Sequence, residues 1–120
     1  MHVFIFFFSS FTEIPKVVVP QPQYNVDYGT SVTLTCTVTA NPIHTVVYWQ
    51  KIRNGVVNTV SVVNSNNKYS GSSVGTPSLT INNVVLDDEA SYICFATNGV
   101  GTGQSSQTFV DINGGKGHTI

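Results

Sequence analysis

Thiol chemistry is the first that these residue types allow, because Cys36 and Cys94 are the only two cysteines of the 120-residue chain. Two thiols form at most one bridge or one redox couple, and neither lies in the Cys-x-x-Cys spacing that marks a reactive pair. His2, His44 and His118 are scattered, without Cys/His ligand spacing, so no metal site is expected. His44 is read as a surface loop residue beside Pro42. The run Asp87-Asp88-Glu89 supplies the carboxylate oxygens that a hard cation such as calcium prefers. A solvated acidic turn accounts for that run without further ligands and is the preferred reading. No Ser, His and Asp grouping has a motif context, and no phosphate-cradling loop follows a strand. The chain is therefore read as non-enzymatic, with no catalytic residues and no cofactor.

Bulk properties narrow the classes further. Only 9% of residues are charged and the formal net charge is −1, which removes the basic stripe that a nucleic-acid binder needs. With 41% hydrophobic residues the chain can sustain a buried core rather than remain disordered. Met1-His2 precedes the apolar run Val3 to Phe8, which lacks Lys or Arg before it and is too short to span a membrane. Residues 1–15 are accordingly read as a truncated or atypical signal peptide or a disordered N-terminal segment. Residues 16–112 are read as the folded domain, and residues 113–120 as a Gly-rich tail or linker.

The elements that must position these residues are strands. Val32, Leu34, Cys36, Val38 and Ala40 alternate with four threonines, the period of a strand buried on one face. Thr45 to Arg53 forms the next strand, with Val47 and Trp49 on one face. Asn54-Gly55 then gives a strong hairpin signal, since both residues tolerate the positive φ of a type I′ turn. Val56 to Val63 returns as a strand, and Lys68-Tyr69-Ser70 begins another. Leu79 and Ile81 point one way before the acidic turn. Ser91 to Thr97 alternates again, with Tyr92, Cys94 and Ala96 on one face. Gln104 to Ile112 is the last strand, with Thr108, Val110 and Ile112 inward. Pro20 and Pro22 confine Lys16 to Val19 to an edge or a strand switch. Many short strands with regular turn signals predict an all-β, two-sheet antiparallel sandwich.

The motif Asp88-x-Ala90-x-Tyr92-x-Cys94, with Cys36 upstream and the single tryptophan Trp49 between the cysteines, resembles the immunoglobulin superfamily. Cys94-x-Ala96-x-Asn98-x-x-Gly101 and Leu79-x-Ile81-x-x-Val84 are similar to the intermediate (I-set) type. Ala96 to Ser105 looks like immunoglobulin repeats of invertebrate adhesion or hemicentin-like proteins. Gly99-Val100-Gly101-Thr102 is similar to the G-x-G-T of antigen-receptor variable domains. It follows Cys94 too closely to leave room for their long recognition loop.

The resemblance covers about Lys16 to Ile112 and implies an immunoglobulin-like sandwich with Greek-key connections. It implies a Cys36–Cys94 disulfide, hence an oxidising compartment outside the cell, either secreted or on a surface ectodomain. Trp49 would pack on that bridge, Tyr92 would form a tyrosine corner, and Asp88 would pair with Lys68. Alternation places Tyr48, Ile93, Phe95 and Phe109 on the outward face of one sheet, a candidate protein-binding face. The function implied is non-catalytic extracellular recognition or cell adhesion. Its partner would be another extracellular protein or an identical domain in homophilic pairing, with no nucleic acid and no membrane insertion. Two alternatives are an immune-type soluble protein binding foreign ligands and a structural spacer repeat of a larger multi-domain protein.

Overall fold

The computed structural model describes residues 12–114, and eleven strands account for most of them. In chain order they are β1 (Glu13–Val18), β2 (Gln23–Asp27), β3 (Val32–Leu34), β4 (Thr37–Asn41), β5 (Val46–Arg53), β6 (Val56–Thr59), β7 (Tyr69–Gly71), β8 (Leu79–Ile81), β9 (Ala90–Thr97), β10 (Thr102–Gln104) and β11 (Thr108–Asn113). A 3-10 turn, Leu86–Asp88, precedes β9. One layer is a six-stranded sheet in the order β2-β11-β9-β5-β6, with β10 also on β9. The other layer holds the ladders β1-β4 and β3-β8-β7. Every pairing is antiparallel except β2 with β11, which is parallel.

The parallel pair follows from the prolines. Val19 to Pro22 cannot continue a ladder, because Pro20 and Pro22 have no N–H to donate. The chain therefore leaves β4 after β1 and re-enters the opposite sheet as β2, alongside β11. This switch also divides the strand expected over 32–40. Its first part, β3, pairs with β8, and its second part, β4, pairs with β1. At the break the backbone N–H of Thr35 donates to the Tyr24 hydroxyl and that of Cys36 to the Ser78 hydroxyl, both at 3.0 Å. Side chains thus satisfy the donors that the ladder drops.

Between the layers lies a core that includes Leu34, Trp49, Leu79, Ile81, Val84, Tyr92, Val110 and Ile112, all with no exposed surface. Cys36 and Cys94 are joined by a disulfide across it, at a sequence separation of 58. Closing a loop of that length restricts the unfolded chain by about 4 kcal/mol in the chain-entropy account. The indole N–H of Trp49, fixed beside the bridge on β5, donates to the Pro77 carbonyl at 2.8 Å. Its one polar atom is therefore satisfied despite full burial.

Several boundaries differ from those the sequence suggests. The first strand opens at Glu13, three residues before Lys16, because Asn98 binds the Glu13 carbonyl and anchors the strand start. The last strand runs through Asn113, whose carbonyl accepts from the Tyr28 N–H at 2.8 Å. β6 stops at Thr59 instead of Val63, although Val60 still donates to the Trp49 carbonyl. The remaining residues of the two terminal segments, 1–11 and 115–120, lie outside the described residues.

Candidate protein-docking face and the turn that supports it

The acidic turn is built from three carboxylates with three different tasks. Asp88 is buried, and its Oδ2 accepts from Lys68 Nζ at 2.7 Å and from the Val85 N–H at 2.8 Å. Asp87 is largely exposed and meets Lys51 at 3.1 Å and Arg53 at 3.6 Å. The hydrogen bond from Lys51, then its charge, holds the Asp87 carboxyl below the usual carboxylate range, with Arg53 adding to the effect. Glu89 Oε1 accepts from the Ile112 N–H at 3.0 Å, on β11. One turn therefore reaches β5, β11 and the segment leading into β7.

Arg53 completes this arrangement. Its Nη1 donates to the carbonyls of Leu86 and Glu89, at 2.8 and 2.7 Å, so it clasps the 3-10 turn from both ends. Arg53 carries no local sequence signal, because its shortest contacts are to backbone carbonyls and its longer one, to Asp87, joins residues far apart in sequence. The Tyr92 hydroxyl donates to the Asp88 carbonyl at 2.7 Å. Burial, followed by the nearby Asp88 charge, raises the Tyr92 phenol far above its ordinary value.

At the opposite end, Asn98 is a second buried junction. Its amide donates to the carbonyls of Glu13 and Pro42, at 2.8 and 3.0 Å. Its carbonyl oxygen accepts from the N–H groups of Val100 and Gly101. Four bonds thus join β1, the β4–β5 loop and the β9–β10 turn. Next to it β1 passes so close to β10 that a Cβ on Gly103 would overlap the Pro15 carbonyl oxygen. His44 in the same loop is buried rather than on the surface, with Nε2 3.3 Å from the Val74 carbonyl. The 72–77 connection covers it, a tertiary contact with no local sequence signal.

Between these two junctions runs the outer face of the six-stranded sheet. Tyr48 on β5 stands opposite Phe95 on β9, and their rings stack with centroids 4.9 Å apart and planes 4° from parallel. Gln104 flanks Phe95 from β10. The next row holds Thr59, Gln50 and Ile93, and the row after it Val57, Ile52, Ser91, Phe109 and Gln23. No side chain in these three rows is charged. Asp111 and Asp27 lie further along β11 and β2.

The structure spaces the four face residues unequally. Ile93 points outward but is only 8% exposed, so it offers a partner little surface. Phe109 is exposed yet lies opposite Ser91, four residues from Phe95, about 13 Å along β9 at ~3.3 Å per residue. The cause of the altered register is a bulge. Gln104 pairs with Phe95 and Thr108 with Tyr92, leaving residues 105–107 opposite only Ile93 and Cys94. Ser105 turns inward there, and its hydroxyl accepts from the Cys94 N–H at 3.0 Å. The strand expected from Gln104 to Ile112 is divided at this point.

Among the described residues no group of His, Cys, Asp or Glu is arranged to hold a metal ion, and no helix is long and apolar enough to cross a membrane.

A disulfide-pinned, two-layer β-sandwich with a strand that changes sheet and a tyrosine bonded to its own entry turn defines an immunoglobulin domain. Residues 14–98 match the immunoglobulin domain family, and the chain belongs to it. Among solved structures it is similar to the tandem Ig repeats of Dlar, at 28% identity and a TM-score of 0.67, covering 82% of this chain and 48% of that one. It is also similar to the N-terminal Ig1-2 module of the Drosophila receptor protein tyrosine phosphatase DLAR, at 30% identity and a TM-score of 0.63, covering 82% of this chain and 45% of that one. The chain thus spans about half the length of these structures. No match was found among curated proteins.

Proposed function

We propose that this immunoglobulin domain is a non-catalytic extracellular recognition module that docks another extracellular protein on the outer face of its six-stranded sheet. The observation that carries the reading is the stacked Tyr48–Phe95 pair on a face whose central rows hold no charge. Aromatic side chains on a rigid sheet make good anchors, since they bury much area while losing few rotamers. A charged partner surface would lose hydration there without gaining a counter-charge, so a largely uncharged protein patch suits it. The disulfide supports a location outside the cell, where such bridges persist. The similarity to an Ig module of a receptor protein tyrosine phosphatase accords with an adhesion or surface-recognition role.

The test is a binding screen of the full chain against extracellular proteins, followed by Tyr48→Ala and Phe95→Ser. Either substitution is expected to weaken a captured interaction at least tenfold, with the disulfide and thermal transition retained. An interaction unchanged by both substitutions refutes the role of this face.

A further inference from the structure

We propose that the free edge of β6 pairs antiparallel with β6 of a second copy of this chain. The proposal does not use the Tyr48–Phe95 stack: it uses backbone groups at the rim of the sheet, where Val57 and Thr59 end two rows of the docking face.

The register identifies which backbone groups are available. Asn54 and Gly55, with φ of 52° and 77°, form the two-residue turn between β5 and β6. In such a hairpin the residues flanking the turn, Arg53 and Val56, form a hydrogen-bonded pair, and bonding alternates from there. Val56 and Asn58 therefore direct their N–H and C=O groups to β5. Val57 and Thr59 direct theirs away from it, toward solvent, because β6 ends the sheet order. An extended backbone is the ligand that such a row takes.

Comparison with the edges of β1, β2 and β7 sets β6 apart from them. β1 contains Pro15 and Lys16; β2 follows Pro22 and ends in Asp27; β7 follows Lys68 and ends at Gly71, with φ of 79°. Charges, prolines and kinks of this kind block edge pairing. β6 has none of them, and no charge or proline occurs from Asn54 through Asn67. Val56 and Val57 are 57% and 54% exposed.

A second copy fits because the strand is self-compatible. Opposite residues of an antiparallel pair must face the same side, so a two-fold axis can pass between the Val57 residues of the two copies. The Val57 side chains then meet on the outer face, and the two Val57 residues exchange N–H···O=C bonds. No like charges are brought together. A strand of four residues buries less than the roughly 800 Å² per partner of a standard interface, so the pairing is weak and concentration-dependent.

The experiment is sedimentation velocity and a 15N dilution series on the full chain, from micromolar to millimolar. The expected result is a monomer–dimer equilibrium in which the Val57 and Thr59 amides shift with concentration. Val57→Lys should weaken association at least tenfold, by opposing two ammonium groups across the axis. Val57→Pro, which removes the outward N–H but leaves the Arg53–Val56 closure, should do the same, with folding checked by circular dichroism. Phe95→Ser should change it less than twofold. A monomer throughout the range overturns the proposal, as does a dimer insensitive to both Val57 variants. Dimerisation lost in Phe95→Ser but kept in Val57→Lys also overturns it, while pointing to homophilic use of the docking face. Capture of a different extended polypeptide by a chain that never self-associates overturns the choice of occupant.

Discussion

The Tyr92 hydroxyl donates to the main-chain carbonyl of Asp88, not to its carboxylate. The carboxylate is thereby left to Lys68 and to the Val85 N–H. The buried Asp88 thus joins β9 to its entry turn through main chain and the turn to its neighbours through side chain.

Removing the hydroxyl tests the first half. Tyr92→Phe leaves the ring volume but strands the Asp88 carbonyl in a buried site, which costs about 1–3 kcal/mol. Urea unfolding should show a lower midpoint with an unchanged slope.

The second half separates two carboxylates one residue apart. Lys68→Met leaves the buried Asp88 carboxylate without its counter-ion, a loss on the order of 3 kcal/mol. Asp87→Asn removes an exposed pair and should cost less than about 1 kcal/mol. The Asp87 pKa is lower in the folded chain than in the unfolded one, so its small contribution is present above the ordinary carboxylate range and is lost as pH falls through the lowered value. Asp87→Asn should therefore flatten the acid limb of a stability–pH curve. High salt should shrink the Asp87 effect more than the Lys68 effect.

At alkaline pH the sign reverses. The Tyr92 phenol is raised by burial, so above an ordinary pKa near 10 the unfolded chain gives up a proton that the folded chain retains. Stability contributed by this group is complete below about pH 10 and declines as pH rises further. Absorbance at 295 nm should show Tyr92 silent until the cooperative transition, as the difference between wild type and Tyr92→Phe. The drop in urea midpoint between pH 9 and 11 should be smaller in the variant.

Asn98→Ala removes four hydrogen bonds and leaves the Glu13 and Pro42 carbonyls without the amide that joins them. A loss of about 2–4 kcal/mol is expected from net bond values of roughly 1 kcal/mol each. Hydrogen exchange should accelerate first in β1 and the β9–β10 turn, ahead of β5.

Alternation and turn chemistry made much of this fold legible. The threonine-spaced run around Cys36 placed one face of a strand inward, and Asn54-Gly55 located a hairpin whose φ values are both positive. The sequence did not show where a strand changes partners. The break at Thr35 depends on β1 and β2 lying in different sheets, and the bulge at 105–107 depends on β9. Because that bulge shifts register by one residue, alternation could not predict how far Phe109 would lie from Phe95. The roles of Arg53 and Asn98 were hidden for a related reason: their shortest bonds go to main chain, which every sequence possesses, and Asn98 was legible only as part of a family motif. The Lys68–Asp88 contact was nameable only through a family motif, since the residues are distant in sequence.

The parallel ladder of β2 and β11 bears on tension. It aligns Gln23 to Asp27 beside Phe109 to Asn113. A pull on the amino end of β2 and the carboxyl end of β11 drives two parallel strands past one another. Their hydrogen bonds are then loaded together in shear, whereas a hairpin pulled at its open end releases them one by one. The two prolines that send the chain across the sandwich therefore also set how it would yield under force.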